Sequence, residues 1–266
     1  MDRYEAMFAR LEAAGEGAFG AFVTLGDPDL ATSAEILERL VAGGADMVEV
    51  GIPFSDPVAD GAVIQASATR ALRAGVGPGD CFALLNQFRA RHPRMPVGIL
   101  TYANLVFARG LDAFYRKAAE AGVDSVLVAD VPLIEAEPFL SAARGNGVAP
   151  VLVAAVNTPP ERLARIARLG GGYTYCVARA GVTGADEAVR FGHFGMLRAL
   201  AENGAPPPIF GFGIARPAHV EAALAAGAAG VISGSAIVAR IAEGRQRELT
   251  AFVAAMKAAT RQKAAA

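Results

Sequence analysis

The sequence predicts a (β/α)8 barrel, formed as one domain over residues 1–266, with an extra helix before the first strand. Three observations favour this fold. A unit recurs in which an amphipathic helix ends at Ala-Gly or Asn-Gly and runs directly into an apolar, β-branched segment, as expected for a helix with a glycine C-cap followed by a strand. Eight such strands are predicted, with none left over. The length of 266 residues is also near that of one such barrel.

The predicted elements cover nearly the whole chain. The N-terminal segment has the pattern of an amphipathic helix. Four helix-to-strand steps follow in AGGADMVEVGI (42–52), AGVDSVLVADV (121–131), NGVAPVLVAAV (146–156) and AGAAGVISGSA (226–236). The other four strands are FGAFVTL near Phe19, PVGILTY near Pro96, YTYCVAR after Gly172 and IFGFGI after Pro208. Alternating strands and helices imply a parallel sheet, and eight units favour closure into a barrel over an open doubly wound sheet, which is the alternative.

Composition excludes several classes of protein. Lys and Arg together number 25 against 26 for Asp and Glu, so no overall field would attract nucleic acid or an anionic membrane. The two cysteines, Cys81 and Cys176, lack metal-ligand spacing, which favours a reducing compartment and a cytoplasmic location. The N-terminal helix has no apolar run like that of a signal peptide. The uncharged stretch 222–239 is interrupted by three glycines, which argues against a membrane helix.

Two glycine-rich segments end the last two predicted strands. They are Gly211-Phe212-Gly213 and Gly234-Ser235, and Ser235 is predicted to begin a short helix through Ala239. Glycines let the backbone approach a phosphate closely, and the N–H groups of a helix N-terminus act as donors to it. The loops after strands seven and eight are the usual phosphate site of this fold. A phosphate ester is therefore the predicted substrate class, although glycines that only form turns would give the same pattern.

One acidic residue falls inside the second predicted strand. Side chains alternate along a strand, so Val48, Val50 and Ile52 suit the outer face and Glu49 points into the barrel. A buried acid is costly unless it is paired or used, and burial raises its pKa to a range suited to proton transfer. Asp60, in the following loop PFSDPVADG together with Asp56, is a second candidate by position. An ion-paired Glu49 and turn-forming aspartates are the alternatives.

Other catalytic groups are scarce. The three lysines fall in helical or terminal segments, so none is expected at a strand end to form an imine; they are Lys117, Lys257 and Lys263. The three histidines are far apart and lack metal-ligand spacing, so no metal site is expected; they are His92, His193 and His219. Proton transfer by carboxylates is the chemistry that remains.

With these residues assembled, the sequence resembles the tryptophan synthase α subunit family. The matching stretches run over nearly the whole chain in the family's order: VEVGIPFSDPVADG (48–61), YANLVF (102–107), SVLVADVPL (125–133), YTYCVARAGVTG (173–184), GFGI (211–214) and GVISGSAIV (230–238). The resemblance implies a retro-aldol cleavage of indole-3-glycerol phosphate to indole and glyceraldehyde 3-phosphate. It implies no cofactor on this chain, with pyridoxal phosphate only on a partner β subunit.

The resemblance also assigns roles to individual residues. Glu49 would act as general acid/base, Asp60 would bind the indole N–H, and Tyr175 would support the carboxylate. The phosphate-binding positions would be Gly184, Gly213, Gly234 and Ser235, and the indole would be sandwiched by Phe22, Leu100, Leu127 and Phe212. Further substrate contacts are expected from Tyr102, Ala129, Val153, Thr183 and Ile232, with Thr183 in a mobile lid over residues 179–193 that closes onto Asp60.

Partner binding rests on the resemblance. The family implies an α2β2 heterotetramer in which the α subunit docks through loops matching 53–57, 102–107 and 130–135, and indole passes to the partner through a tunnel. The contact residues expected here are Pro53, Asp56, Pro57, Asn104 and Phe107.

The sequence departs from the family at Ala62, at Ala155-Val156 and at Ala178, none of which is a catalytic or phosphate position. The competing hypotheses are a phosphate-binding barrel isomerase of sugar or histidine metabolism, a binding subunit without chemistry, and a stand-alone lyase.

Overall fold

A computed structural model describes residues 2–177 and 194–261 of the chain. The strands of these residues are β1 (Ala18–Thr24), β2 (Met47–Gly51), β3 (Val97–Thr101), β4 (Ser125–Val128), β5 (Ala149–Pro150), β6 (Leu152–Ala155), β7 (Thr174–Val177), β8 (Pro208–Phe210) and β9 (Gly230–Ser233). The helices are α1 (Arg3–Ala14), α2 (Leu30–Ala42), α3 (Ala62–Arg73), α4 (Pro78–Arg91), α5 (Ala103–Phe107), α6 (Leu111–Glu120), α7 (Glu137–Gly145), α8 (Pro160–Leu169), α9 (Phe194–Glu202), α10 (Pro217–Ala225), α11 (Ser235–Ala242) and α12 (Leu249–Ala258). A short 3₁₀ helix covers Gln246–Glu248.

The strands form one parallel sheet in the order β5-β4-β3-β2-β1-β9-β8-β7-β6. Its two edge strands are halves of one extended segment, because only Val151 separates β5 from β6. The first half pairs with β4 and the second with β7, and the Val151 N–H donates to the Val126 carbonyl at 3.0 Å. The segment therefore closes the sheet into a barrel. The predicted (β/α)8 barrel is confirmed, and the open doubly wound alternative is wrong.

The apolar core has two layers. Val48, Val50 and Ile52 belong to the outer layer between strands and helices, whereas Met47 packs in the inner cluster within the barrel. A Cβ placed on Gly51 would lie 3.1 Å from the Phe22 ring, so this position also faces inward. The alternation predicted for the second strand is confirmed, and it turns Glu49 into the barrel.

Helix α1 covers the N-terminal ends of the strands. Asp2 and Glu5 form its capping box, and its Tyr4, Met7 and Leu11 belong to the inner cluster of the barrel. The Tyr4 hydroxyl lies 2.8 Å from Ser125 Oγ at the start of β4. The predicted extra N-terminal helix is confirmed, and because it blocks this end, a ligand must enter the barrel from the C-terminal ends of the strands.

The uncharged stretch 222–239 is divided among α10, β9 and α11. Over the described ranges, the chain contains no helix that is both long and apolar enough to span a bilayer. Helix α11 begins at the predicted Ser235 and extends beyond Ala239 to Ala242.

Candidate active site

Glu49 lies in the middle of β2, where it is level with Phe22 of β1 and Gly98 of β3. Its side chain is 1% exposed. The Tyr173 hydroxyl donates a hydrogen bond to its Oε1 from across the barrel. Its Oε2 is buried and has no hydrogen-bond partner among the residues that the structure describes. One oxygen is therefore held in place, and the other is left available to a ligand.

The pKa of Glu49 is raised from 4.5 to about 7. Burial is the largest cause, because the barrel interior disfavours the charged form. The hydrogen bond from Tyr173 opposes this rise, and the nearby charge of Asp60 adds to it. A carboxyl group in this range both gives and takes a proton near neutral pH.

The raised pKa makes stability depend on pH. Glu49 ionises near 4.5 in the unfolded chain but near 7 in the folded one, so between these values the folded state binds more protons. Stability therefore decreases as pH rises through this window. We expect Glu49→Gln, which stays uncharged, to gain about 2–3 kcal/mol relative to wild type between about pH 5 and about pH 8. Urea unfolding of both proteins at the two pH values measures this difference in the free energy of unfolding.

A suitable control for this measurement is Glu12→Gln, at an exposed position of α1, which should show no such gain. An unchanged difference between Glu49→Gln and wild type at the two pH values would contradict the buried, protonated state of Glu49.

Asp60 ends the loop that follows β2 and is 9% exposed. The Tyr102 hydroxyl donates to its Oδ2 at 2.8 Å, and the ring of Tyr102 stacks on Phe54 of the same loop. Burial raises the pKa of Asp60, while the bond from Tyr102 opposes the rise because it favours the ionised form. The structure thus brings a second buried carboxylate close enough to Glu49 for their charges to interact.

Tyr173 and Tyr175 both face the barrel interior, at different levels along the barrel axis. The hydroxyl of Tyr175 donates to the Gly211 carbonyl at 3.2 Å, and burial and the charges of Glu49 and Asp60 raise its pKa. A Cβ on Gly211 would lie 2.0 Å from the Tyr175 ring, so Tyr175 can occupy this position only because residue 211 is a glycine. The residue that contacts Glu49 is Tyr173, which the sequence reasoning missed.

A small cavity with a volume of about 10 Å³, lined mainly by apolar residues, lies beside Asp60, between the ends of β1, β2 and β3 and helix α3. Its walls include Phe22, Leu100, Tyr102 and Ile64, with Asp60 and Thr24 among the polar residues. The remaining predicted substrate contacts surround the same end of the barrel. Leu127 and Ile232 are buried in the inner cluster, Ala129 and Phe212 pack against it, and Val153 is 40% exposed at β6.

Glycine segments follow β8 and β9, and the one after β9 adjoins this cavity. Gly213 has a φ of 76°, and its carbonyl lies 2.7 Å from Nδ1 of His219 on α10. Gly234 precedes α11, and a Cβ there would lie 3.3 Å from the Phe22 ring. The N-terminus of α11 is therefore next to the aromatic wall of the cavity. The contact of His219 with the Gly213 segment was not predicted.

Some predicted site residues lie outside the described part of the chain. They are Thr183, Gly184, the rest of the predicted lid over 179–193, and the departure at Ala178. Among the residues that are described, Lys117 lies on α6 and Lys257 on α12, where Lys257 pairs with Glu16 and Asp46. In this part of the chain no group of three or more His, Cys, Asp and Glu side chains could hold a metal ion.

The predicted partner-contact residues lie at the ends of β2 and β3. Asp56 and Asn104 are exposed, Pro57 is half-buried and Pro53 is buried. Phe107 is 56% exposed although its ring packs against Phe139. Two further apolar side chains at this end are also exposed: Ile134 at 77%, in the predicted docking loop 130–135, and Val58 at 69%, just outside the predicted loops.

Of the departures from the family, Ala62 is the first residue of α3 and Ala155 the last of β6. Val156 follows β6 and is 37% exposed.

Comparison with known proteins agrees with this geometry. A family model described as tryptophan synthase alpha chain matches residues 8–266. The tryptophan synthase alpha chain of Shewanella amazonensis is 54% identical over 98% of this chain and 100% of its own length. That of Klebsiella pneumoniae subsp. pneumoniae is 51% identical over 98% of this chain and 99% of its own. A structure of Mycobacterium tuberculosis tryptophan synthase superposes with a TM-score of 0.90 at 30% identity, covering 98% of this chain and 99% of that one. The barrel isomerase hypothesis is therefore wrong, and the chain belongs to the tryptophan synthase alpha chain family.

Proposed function

We propose that Glu49 and Asp60 carry the reaction of this family. As a member of it, the chain is a lyase that cleaves indole-3-glycerol phosphate to indole and glyceraldehyde 3-phosphate in tryptophan biosynthesis. The observation that supports the proposal best is the state of Glu49. Its carboxyl is buried, its pKa is about 7, and Tyr173 holds only one of its oxygens.

The reaction needs one proton given and one taken. Protonation of the indole ring at C3 places a positive charge on the ring nitrogen. Removal of the proton from the hydroxyl on the adjoining side-chain carbon then forms the aldehyde, and the electrons of the breaking carbon–carbon bond return to the ring. Because the two transfers balance, one carboxyl group able to donate and then accept suffices, and we assign both steps to Glu49.

Asp60 would stabilise the charged ring nitrogen. Its carboxylate lies in the wall of the small cavity, which would widen to admit the ring, and Tyr102 orients it. An ionised group fixed in a water-poor site interacts strongly with charge that develops in the transition state. Phe22, Leu100, Leu127 and Phe212 would contact the ring.

The phosphate would bind at the N–H groups of Gly213, Gly234 and Ser235, with Gly184 completing the site and Thr183 closing the lid. The N-terminus of α11 supports this assignment, because it lies beside the same aromatic wall and because helix N-termini attract anions. Tyr175, whose hydroxyl is bonded to Gly211, would hold the segment between the ring and the phosphate.

The direct test is release of indole by the purified chain. We expect indole to form from indole-3-glycerol phosphate, and its rate to persist with borohydride and, in a separate reaction, with a chelator, because the assigned groups need neither an imine nor a metal. Absorbance of the released indole measures it. Inactivation by either reagent would contradict the proposed chemistry, and no release at all would favour a binding subunit without chemistry.

We further propose that the chain works in the cytoplasm, in an α2β2 assembly whose β subunit holds pyridoxal phosphate and receives the indole. Support comes from exposed apolar side chains at this end of the barrel: Val58 in the Asp60 loop, Phe107 at the end of α5 and Ile134 in the loop after β4. Apolar surface exposed on one face of a protein marks protein contacts. Because Asp56 and Asp60 share one loop, docking would also order the catalytic carboxylate, and the β subunit would raise the lyase rate.

Truncating Phe107 tests the docking face. Removal of an exposed aromatic anchor should weaken binding of a purified β subunit by about 10- to 100-fold, so more β subunit is needed to stimulate the lyase. A titration of indole release against β subunit concentration with Phe107→Ser measures this. Leu72→Ser is the matched control, because Leu72 is 39% exposed near the end of α3, far from the loops. Equal effects of both variants would place the docking face elsewhere.

A further inference from the structure

Helix α3 begins two residues after Asp60, and its first turn contacts the backbone of that residue. Gln65 Nε2 donates to the Asp60 carbonyl oxygen at 2.7 Å. Two other bonds hold Asp60: its N–H donates to the Pro57 carbonyl at 3.0 Å, and its Oδ2 accepts from Tyr102. The bond to Pro57 lies within the same loop. Gln65 is therefore the group that ties the Asp60 backbone to a helix.

Helix α3 is in turn tied to the loop that follows β1. Arg70 donates to both carboxylate oxygens of Asp27, at 2.7 and 2.6 Å, and Ser67 Oγ donates to Oδ2 at 2.5 Å. Asp27 is 2% exposed and Ser67 is fully buried. Bidentate, charge-assisted bonds of this kind are stronger than neutral ones and fix geometry. The helix that carries Gln65 is thus anchored to the loop that follows β1, the strand that carries Phe22.

We propose that Gln65 is a positioning residue for Asp60, and that the cluster of Asp27, Ser67 and Arg70 holds the helix in the place that this role requires. The proposal rests on the proposed role of Asp60. Gln65 is exposed on the outer side of α3 and does not line the cavity, so it acts through the backbone of Asp60. Without its bond, the Asp60 carbonyl turns toward water and the carboxylate shifts relative to the ring nitrogen.

Such a shift affects the rate more than binding. A displacement of about 1 Å in a catalytic group costs on the order of 10²-fold in rate. Phosphate is proposed to bind at the backbone N–H groups of Gly213 and Gly234, after β8 and β9, whereas Gln65 acts on the loop after β2, so phosphate affinity should be unaffected. Since Gln65 is exposed, its replacement leaves the core intact.

A double-mutant cycle tests the proposal. Indole release from indole-3-glycerol phosphate is measured in single turnovers for wild type, Gln65→Met, Asp60→Asn and the double variant. Gln65→Met keeps the length of the side chain and removes the donor, and it should lower the rate by about 10- to 100-fold. In the Asp60→Asn background the same substitution should change the rate by less than about threefold, because residues that act through one another are not additive.

Gln65→Glu is a second variant with the same outcome, since an ionised carboxylate cannot donate to the carbonyl. The inhibition constant of inorganic phosphate should stay within about twofold of the wild-type value in both Gln65 variants. Thr69→Val is the matched control, because Thr69 Oγ1 donates to the Gln65 carbonyl from an exposed position on the same helix. It removes a side-chain bond of α3 that does not reach Asp60, and its rate should be near that of wild type.

Two results would overturn the proposal: an unchanged rate in both Gln65 variants, or an equal loss in the wild-type and Asp60→Asn backgrounds, which indicates a general structural effect. Either leaves the role of Asp60 intact as long as Asp60→Asn itself is slow. Near-normal turnover of Asp60→Asn would instead overturn the proposed function.

Discussion

Replacing Glu49 with Gln is expected to slow cleavage of indole-3-glycerol phosphate by about 10²–10⁴-fold, the usual contribution of one general acid/base group. The amide keeps the shape of the carboxyl group, and its oxygen still accepts the bond that Tyr173 donates to Glu49. The amide, however, can neither give a proton to the indole ring nor take one from the substrate hydroxyl. The measurement is kcat for indole release.

Phosphate inhibition distinguishes lost chemistry from lost binding. Gly213 and Gly234 follow β8 and β9, whereas Glu49 is on β2, so inhibition of Glu49→Gln by inorganic phosphate should match wild type. Glu12→Gln controls for the substitution itself, because Glu12 is exposed on α1, at the opposite end of the barrel. A Glu49→Gln enzyme with near-normal kcat would rule out Glu49 as the proton carrier.

The second large effect is expected for Asp60→Asn, which should lower kcat by about 10²–10³-fold, as loss of one preorganised electrostatic group does. The amide still accepts a hydrogen bond from Tyr102, so the loop keeps its shape, but the negative charge beside the ring nitrogen is lost. Single-turnover indole release by the chain without a β subunit isolates this effect from docking.

Asp56→Asn makes the same change in the same loop. Asp56 is exposed, and its carboxylate accepts a bond from Ser55, so the isolated chain should keep most of its activity. Its response to a β subunit should be weaker, because Asp56 is a proposed contact. If Asp56→Asn and Asp60→Asn slowed the isolated chain equally, the loop as a whole would matter and the specific role of Asp60 would be wrong.

The local pattern of β2 was sufficient to orient Glu49. A period of two with large β-branched residues at 48, 50 and 52 predicts one face under helices, and the inner and outer clusters confirm it. The same reasoning could not choose between Tyr173 and Tyr175, because both positions have the same parity along the chain. Only the stagger of strands around the barrel places Tyr173 level with Glu49.

Gly98 illustrates the same limit. In the sequence it is one glycine in a predicted strand, but a Cβ there would lie 2.9 Å from Ser125 Oγ and 3.1 Å from the Tyr4 hydroxyl. The space beside Glu49 is therefore filled by side chains from α1 and β4, which are distant in sequence. No periodicity within β3 contains this information.

Helix contacts with loops were the other feature that sequence reasoning missed. Gln65 and His219 occupy unremarkable helical positions, yet one bonds the Asp60 carbonyl and the other the Gly213 carbonyl. A backbone carbonyl is present at every residue, so the sequence carries no signal for which carbonyl a given side chain reaches.

By itself, the sequence determined the barrel class, the inward direction of Glu49 and the place of the glycine segments at strand ends, because these follow from periodicity and from turn residues acting over a few positions. The motif VEVGIPFSDPVADG (48–61) also determined the family. Tertiary structure alone decided that β5 and β6 close the barrel, that Tyr173 holds Glu49 and that Tyr102 holds Asp60. The sequence predicted that burial raises the pKa of Glu49, and the structure gave the extent of the rise, to about 7. The reason is physical: hydrogen-bond partners and desolvation depend on which distant segments meet, and that is set only when the barrel closes.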